Sequence, residues 1–195
     1  MSQSPYKILV RDLPLTREIE VPASFVADAV RGLPLREALG AAAHDDSAGK
    51  GHLKVDLYTE GEHVFANGRI SGQVTVACSR CIEPVQLSFD EPVRVTFLPS
   101  AELRTDEDAE QADEEDGVAI TEDDLDLFGY DGEVVDLEPL VREQFVLAVP
   151  YAPLCSEDCR GLCPQCGINR NQGTCACEAP GDPRLAALKA LKFPS

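Results

Sequence analysis

The sequence contains no long apolar run, and this absence sets the first limit on what the protein is. No stretch approaches the roughly 20 consecutive apolar residues of a membrane-spanning helix. The first residues, MSQSPYKILVRDLP, also lack a basic start followed by an apolar run. We therefore predict a cytoplasmic protein with no membrane partner. Because the cytoplasm is reducing, structural disulfides are disfavoured, and the eight cysteines need another explanation.

Histidine is scarce, and the chain lacks a glycine-rich phosphate-binding loop. The three histidines are His44, His52 and His63, and none lies in a spacing that builds a catalytic triad or a metal-hydrolase site. Carboxylates are plentiful, but many fall in one acidic run, where two acids lie close together by chance and do not indicate a catalytic pair. These features predict a protein that is not an enzyme and has no small-molecule substrate.

Positive charge is also scarce, since 17 basic residues face 35 acidic ones and the net charge is −18. Residues 101–138 hold 17 acidic residues and one basic residue, whereas the remainder holds 18 acidic and 16 basic residues and is near neutral. The sequence therefore predicts an acidic loop at about residues 101–133. Such a loop is either a solvated segment or a surface for a basic partner, and the near-neutral body can still contact RNA.

The spacing of apolar residues predicts an α+β fold. From His52 to Pro99 apolar and polar residues alternate, which is typical of strands with one buried face. Asn67-Gly68 predicts a hairpin turn, and Glu91-Pro92 predicts a second break between strands. We expect an antiparallel β-meander of four or five strands, or a small barrel, with flanking helices.

Three helices are expected around this sheet. One begins near Ser24; a second is capped by Asp136 and buries a face with Leu140, Val141, Phe145 and Ala148; and a terminal helix begins at Asp182-Pro183. The predicted organisation is a β-rich body at residues 1–150 and a cysteine-rich, metal-binding tail with the terminal helix at residues 151–195.

Six of the eight cysteines fall in the tail, in the spacing C-x3-C-x3-C-x2-C-x8-C-x-C, and the other two form a C-x2-C turn upstream. A C-x2-C turn presents two thiolates to one ion, and zinc accepts four such ligands tetrahedrally. No histidine is near the tail cysteines, so the expected sites are all-sulfur and therefore structural. The sequence predicts one or two zinc ions held by these cysteines: Cys78, Cys81, Cys155, Cys159, Cys163, Cys166, Cys175 and Cys177.

The pairing of these cysteines stays open at this point. The preferred arrangement places Cys163, Cys166, Cys175 and Cys177 on one ion and the other four on a second ion, which would pin the tail to the sheet. A swapped arrangement, as in a zinc ribbon, is almost equally compatible with the spacing. An iron–sulfur cluster also uses four thiolates, and a thioredoxin-like redox pair would need its C-x2-C between a strand and a helix.

Several motifs, in this order, resemble the YceD family, the large ribosomal RNA subunit accumulation proteins. They are the CSRC turn at Cys78, LEPLVREQFVLAVP from Leu137, LCSEDCRGLCPQCG from Leu154 and DPRLAALK from Asp182. The resemblance implies a non-enzymatic role in the accumulation of large-subunit (23S) ribosomal RNA. In this family the role often accompanies synthesis of a small protein of the large ribosomal subunit.

Two contact surfaces follow as hypotheses. The acidic loop would hold a basic ribosomal protein, and an arginine-containing region would approach RNA or the large-subunit precursor, because guanidinium groups suit phosphate. The candidate RNA contacts are Arg80, Arg160, Arg170 and Arg184. The alternative function is a redox-switched zinc holdase chaperone, in which oxidation of zinc-bound thiolates releases the metal.

Overall fold

The computed structural model describes residues 4–40, 43–102 and 127–177 of the chain. Most of the expected acidic loop lies outside the described residues. The expected terminal helix from Asp182 and the candidate RNA contact Arg184 also lie outside them. The fold and the sites below are those of the described ranges.

The main element is an open five-stranded sheet, which confirms the α+β class with a β-meander rather than a barrel. Its strands lie side by side in chain order, and the first four pair antiparallel. The sequence pattern did not predict the last strand, which runs parallel to its neighbour. The strands are β2 (Leu15–Val21), β3 (Gly49–Glu60), β4 (His63–Ala77), β5 (Pro84–Pro99) and β6 (Leu127–Tyr130), and β1 (Lys7–Leu9) precedes them in the chain.

The hairpin expected at Asn67-Gly68 is wrong, because β4 continues through both residues. They pair with β3 on one side and with β5 on the other. A Cβ atom at Gly68 would lie 2.0 Å from the carbonyl oxygen of Lys54, so the glycine permits close approach of two strands rather than a turn. The break expected at Glu91-Pro92 is also wrong, since β5 runs unbroken from Pro84 to Pro99.

A second sheet has two strands and joins residues near the start of the chain to residues that precede the longest described helix. Strand β1 pairs antiparallel with β7 (Val134–Asp136), which leads directly into the longest described helix, α3 (Glu138–Leu147). The N-cap residue of this helix is Leu137 rather than the expected Asp136. The side chain of Asp136 nevertheless accepts a hydrogen bond of 2.9 Å from the backbone N–H of Glu138, in the first turn. The shorter helices are α1 (Ala23–Ala29) and α2 (Pro34–Glu37).

Helix α3 packs on the sheet through the expected apolar face, with Leu140, Val141 and Phe145 buried. Phe145 lies over two glycines of the sheet: a Cβ atom at Gly51 would come within 2.6 Å of its ring, and one at Gly72 within 3.0 Å. The ring also meets Phe89 edge-on, with centroids 5.1 Å apart. These two glycines therefore create the space that the helix fills.

The described residues form two separate apolar clusters. The larger one fills the space between the sheet and the helices. The smaller one lies at the turn between β4 and β5 and consists of Cys78, Cys81 and Cys159, with Val85, Leu154 and Leu162 packed against it. The smaller cluster therefore consists of the upstream C-x2-C turn and the cysteine-rich tail together. The division of the chain at residue 150 stays a prediction.

Candidate metal centre

The upstream C-x2-C turn is a compact loop at the tip of the β4–β5 hairpin. The N–H of Cys78 donates to the carbonyl of Glu83 over 2.8 Å, and the N–H of Ile82 donates to the carbonyl of Cys78 over 3.0 Å. Ile82 has a φ of +64°, a left-handed conformation that β-branched residues rarely adopt. This backbone places Cys78 and Cys81 side by side and leaves both buried.

The tail is attached to this turn by backbone hydrogen bonds. The N–H of Ser79 donates to the carbonyl of Pro153 over 2.9 Å, and the N–H of Leu162 donates to the carbonyl of Arg80 over 3.0 Å. A guanidinium nitrogen of Arg80 donates to the carbonyl of Cys159 over 3.0 Å. These contacts hold the intervening tail loop, with its two cysteines, against the turn.

Four sulfur atoms meet at this point, from the residues that we call the Cys78 group: Cys78, Cys81, Cys155 and Cys159. All four lie within 4.8 Å of one another. The sulfur atoms of Cys78 and Cys159 are 3.8 Å apart, and those of Cys81 and Cys155 are 3.6 Å apart. A disulfide bond would bring two sulfurs to about 2.05 Å. Four sulfurs around one zinc ion at about 2.3 Å stand about 3.8 Å apart, so the observed spacing fits a single tetrahedral ion.

The second set of sulfur atoms lies within the tail and belongs to the Cys163 group: Cys163, Cys166, Cys175 and Cys177. These sulfurs also lie within 4.8 Å of one another. The N–H of Gly167 donates to the carbonyl of Cys163, and the N–H of Cys163 donates to the carbonyl of Ile168, both over 2.9 Å. Gly167 has a φ of +73°, which glycine adopts without strain. The structure thus groups the thiols in the first of the two arrangements that the sequence allowed.

The two groups are linked by the polar loop that precedes Cys175. The side-chain amide of Asn171 donates to the sulfur of Cys159 over 3.3 Å, although Asn171 lies between the ligands of the other group. The amides of Asn169 and Gln172 both donate to one carboxylate oxygen of Glu83, at 3.1 and 3.0 Å. Sequence reasoning missed these four positioning residues, because their partners lie up to 89 positions away along the chain.

Backbone N–H groups surround the sulfur of Cys78. Burial raises the pKa of this thiol, but hydrogen bonds from the N–H groups of Arg80, Cys155 and Cys81 outweigh burial and bring the pKa to about 6. Two of these donors lie 3.5 and 3.4 Å from the sulfur. Burial, together with hydrogen bonds among the sulfurs, raises the pKa of Cys81 to about 12. The amide of Asn171 lowers the pKa of Cys159.

The Cys163 group shows the same contrast. The N–H groups of Cys166 and Gln165 lower the pKa of the Cys163 thiol to about 6. A hydrogen bond with the sulfur of Cys166 raises the pKa of Cys177 to about 12. Each group therefore combines thiols that ionise readily with thiols that resist ionisation. A divalent cation removes that resistance, because its charge offsets the repulsion among four thiolates.

The geometry also limits the kind of site. An iron–sulfur cluster binds its cysteines through several iron atoms, so its cysteine sulfurs lie further apart than the edges of one tetrahedron. Four sulfurs that surround one ion leave no coordination position for a substrate or water, which is the arrangement of structural rather than catalytic sites. Among the described residues, the two groups consist of cysteines alone. His52 lies beside Glu20, and His63 lies beside Glu102.

Comparison with known proteins identifies the family. The family model described as "Large ribosomal RNA subunit accumulation protein YceD" matches residues 66–192, which is more than half of the chain. The chain belongs to the YceD family. Both cysteine groups lie inside the matched range, so they belong to the part of the chain that carries the family likeness. No solved structure matches the chain.

Individual relatives agree with the family match. An uncharacterised protein of Mycobacterium tuberculosis H37Rv is 29% identical over 142 residues, 73% of this chain and 61% of the relative. YlbN of Bacillus subtilis is 31% identical over 132 residues, 63% of this chain and 62% of the relative. A maize protein, "Large ribosomal RNA subunit accumulation protein YCED homolog 1, chloroplastic", is 26% identical over 153 residues, 71% of this chain and 52% of the relative. The chain thus spans about three fifths of the Mycobacterium relative and about half of the maize one.

Three of the four arginines that the sequence singled out lie beside the cysteine groups of this YceD-family chain. Arg80 belongs to the upstream turn, Arg160 follows Cys159, and Arg170 belongs to the polar loop before Cys175. Arg80 and Arg160 are exposed, and Arg170 is half-buried. Within the part of the chain that the structure describes, no helix is long and apolar enough to cross a membrane.

Proposed function

We propose that this protein is a non-enzymatic cytoplasmic factor that promotes the accumulation of large-subunit ribosomal RNA. The observation that carries the proposal is the family match over residues 66–192, which contains both cysteine groups. The family description and the name of the maize relative both refer to accumulation of this RNA. The closed, all-sulfur character of the two groups supports a binding factor rather than an enzyme.

We further propose that each cysteine group holds one zinc ion. The Cys78 and Cys163 groups would supply four thiolates each, and sulfur-rich sets favour zinc over the harder magnesium and calcium ions. Zinc would supply positive charge and fixed geometry there. The chain's own residues position the ligands: N–H donors around Cys78 and the Asn171 amide beside Cys159 hold the sulfurs in place.

The partner would be a precursor of the large ribosomal subunit, reached through its RNA or through a basic ribosomal protein. The acidic segment at residues 101–138 supports the second route, because seventeen of its residues carry negative charge. The arginines beside the cysteine groups support the first route. Both routes place the factor on the large-subunit precursor. Binding measurements with purified RNA and with a purified basic ribosomal protein distinguish the two routes.

The test is the ratio of large-subunit to small-subunit ribosomal RNA in cells depleted of this protein. We expect a selective fall in the large-subunit species that the wild-type chain restores. A Cys78→Ser, Cys81→Ser variant should fail to restore it, because it removes two sulfurs of the Cys78 group. A matched control, Ser156→Ala with Thr174→Ser, changes exposed neighbours of the cysteines and should restore the ratio fully.

An unchanged ratio after depletion would end the ribosomal proposal. The redox-switched holdase would then be examined next, through two properties that the ribosomal proposal does not require. These are ejection of metal by peroxide and suppression of client aggregation by the oxidised chain. If the ratio falls on depletion and the double cysteine variant restores it, the ribosomal role stands, but a metal in the Cys78 group is not needed for it.

A further inference from the structure

Three arginines that are distant in sequence converge around Gly161. The N–H of Leu162 donates to the carbonyl of Arg80 over 3.0 Å, and the N–H of Arg170 donates to the carbonyl of Gly161 over 2.9 Å. Arg160 directly precedes this glycine. A Cβ atom at Gly161, whose φ is +69°, would lie 2.9 Å from the Arg80 carbonyl oxygen. The glycine thus allows the turn and the tail to approach closely enough to place the backbones of the three arginines near one another.

The described part of the chain places no carboxylate in an ion pair with these arginines. Among the described residues, none of Arg80, Arg160 and Arg170 has a carboxylate within 4.0 Å, whereas Arg69 and Arg142 do. One nitrogen of Arg80 is bound to the carbonyls of Glu157 and Cys159, contacts that hold the side chain without cancelling its charge. Charge that is held in place and left unpaired suits an anionic partner.

Each cysteine turn also exposes an isoleucine close to one of these arginines. Ile82 is 45% exposed and stands two residues after Arg80, while Ile168 is 38% exposed and stands two residues before Arg170. Ile82 keeps a left-handed backbone conformation at a position where the second turn has Gly167. A left-handed backbone conformation at an exposed apolar residue is typical of functional sites.

We propose that this surface, formed by Arg80, Ile82, Arg160, Ile168 and Arg170, binds single-stranded RNA. The arginines contact the phosphate backbone, and the isoleucines lie against the faces of unpaired bases. Single-stranded RNA exposes both its phosphates and its base faces, whereas a basic protein offers neither. This inference rests on the proposed function and names the partner through which it acts.

The test is binding of a fluorescein-labelled single-stranded RNA of 20 nucleotides to the full-length chain, followed by anisotropy at several salt concentrations. The test variant is Arg160→Gln with Arg170→Gln. The matched control is Arg17→Gln with Arg94→Gln, two exposed arginines on the sheet that also lack ion pairs among the described residues. Both variants change the net charge equally.

The expected effect follows from counterion release. Each phosphate contact on a single strand contributes about 0.7 to the slope of log K against log salt, which is about fivefold in affinity at 0.1 M salt. The test variant should therefore bind about 25-fold more weakly and lose about 1.4 from the slope. The control should bind like the wild type. Arg80 is left intact here because it also holds the carbonyl of Cys159.

The isoleucines are tested with Ile82→Gly, which removes the side chain and accepts the same backbone conformation. We expect weaker binding of the single strand with an unchanged salt slope, because no charge is lost. A fully paired RNA of the same length, whose base faces are stacked, should bind with little difference between the wild type and Ile82→Gly. The metal content of each variant, measured by native mass spectrometry, shows that the turn has kept its structure.

Three results would overturn the proposal: no binding of the single strand at low salt, equal loss in the test and control variants, or binding of polylysine in preference to RNA. The last result would favour a basic protein partner. If depletion lowers large-subunit RNA in cells but the purified chain does not bind the strand, the RNA surface fails and the proposed function stands. If depletion leaves the ratio unchanged, the proposed function fails regardless of RNA binding.

Discussion

Removal of metal should unfold the tail and leave the sheet intact. The prediction depends on where apolar side chains are buried. The large core lies between the sheet and the helices and contains none of the cysteines. The small cluster at the tail consists of three cysteines and three half-buried apolar side chains. Chelation therefore acts on a region that has little else to hold it together.

The magnitudes make the contrast large. Leu154 and Leu162 are the tail's apolar contribution to the small cluster, and full burial of such a side chain contributes only about 1.5–3 kcal/mol. A structural zinc ion contributes about 10–16 kcal/mol in small zinc-binding peptides at pH 7. A bound zinc ion would thus be the largest favourable contribution to the folding of the tail.

Hydrogen exchange read by mass spectrometry, before and after chelation, measures this directly. Amides of residues 153–177 and of the turn at residues 78–83 should lose protection, whereas amides of β3 and β4 should keep theirs. Restored zinc should return the protection, which excludes damage by the chelator. If the tail keeps its protection without metal, the reasoning that assigns its stability to the two cysteine groups is refuted.

Three further predictions concern pH, the tail and the core. Each group combines a thiol of pKa about 6 with one of pKa about 12, so zinc binding between these pH values must release protons. The affinity for zinc should therefore rise with pH, which zinc titrations in weak buffer would measure. An affinity that does not change with pH would contradict this prediction. Gly161→Ala should destabilise the tail more than Gly132→Ala destabilises its own loop. Both glycines have a positive φ, but of the two only Gly161 would place a Cβ atom against a backbone atom. Equal losses of hydrogen-exchange protection in the two variants would show that this close contact is unimportant. Phe145→Ala should cost about 3–5 kcal/mol in denaturant unfolding, while Leu147→Ala, 66% exposed on the same helix, should cost little.

Features that depend on neighbouring residues were predictable from the sequence. The hydrogen bond from the first turn of α3 to Asp136 and the buried face of this helix were both predictable, because they follow from residues within one or two helical turns. The alternation that predicted a sheet is confirmed for the same reason. The turn predicted at Asn67-Gly68 is wrong, because this dipeptide occurs both in hairpin turns and within strands. A glycine can open a turn or let two strands approach, and only the neighbouring strand distinguishes these.

Strand β6 was not predicted. Its orientation was not predictable either, because alternation is the same in parallel and antiparallel strands. Its parallel pairing with β5 depends on the path of the chain between them, which local pattern does not specify. The roles of Asn171 and Glu83 were equally hidden. An asparagine in a polar loop and a glutamate after a turn are ordinary surface residues until the fold places partners beside them.

The sequence by itself determined the chemistry that this protein contains: eight thiols in tight local spacings and an apolar alternation that forms a sheet. Those properties are local, since a C-x2-C turn presents two sulfurs wherever it lies. Tertiary structure alone decided which pairs meet. Hydrogen bonds between the turn and the tail bring Cys155 and Cys159 to the upstream pair. They also bring the backbones of three arginines close to one glycine: Arg80, Arg160 and Arg170. Such contacts depend on the folded path of the chain, which no local spacing specifies.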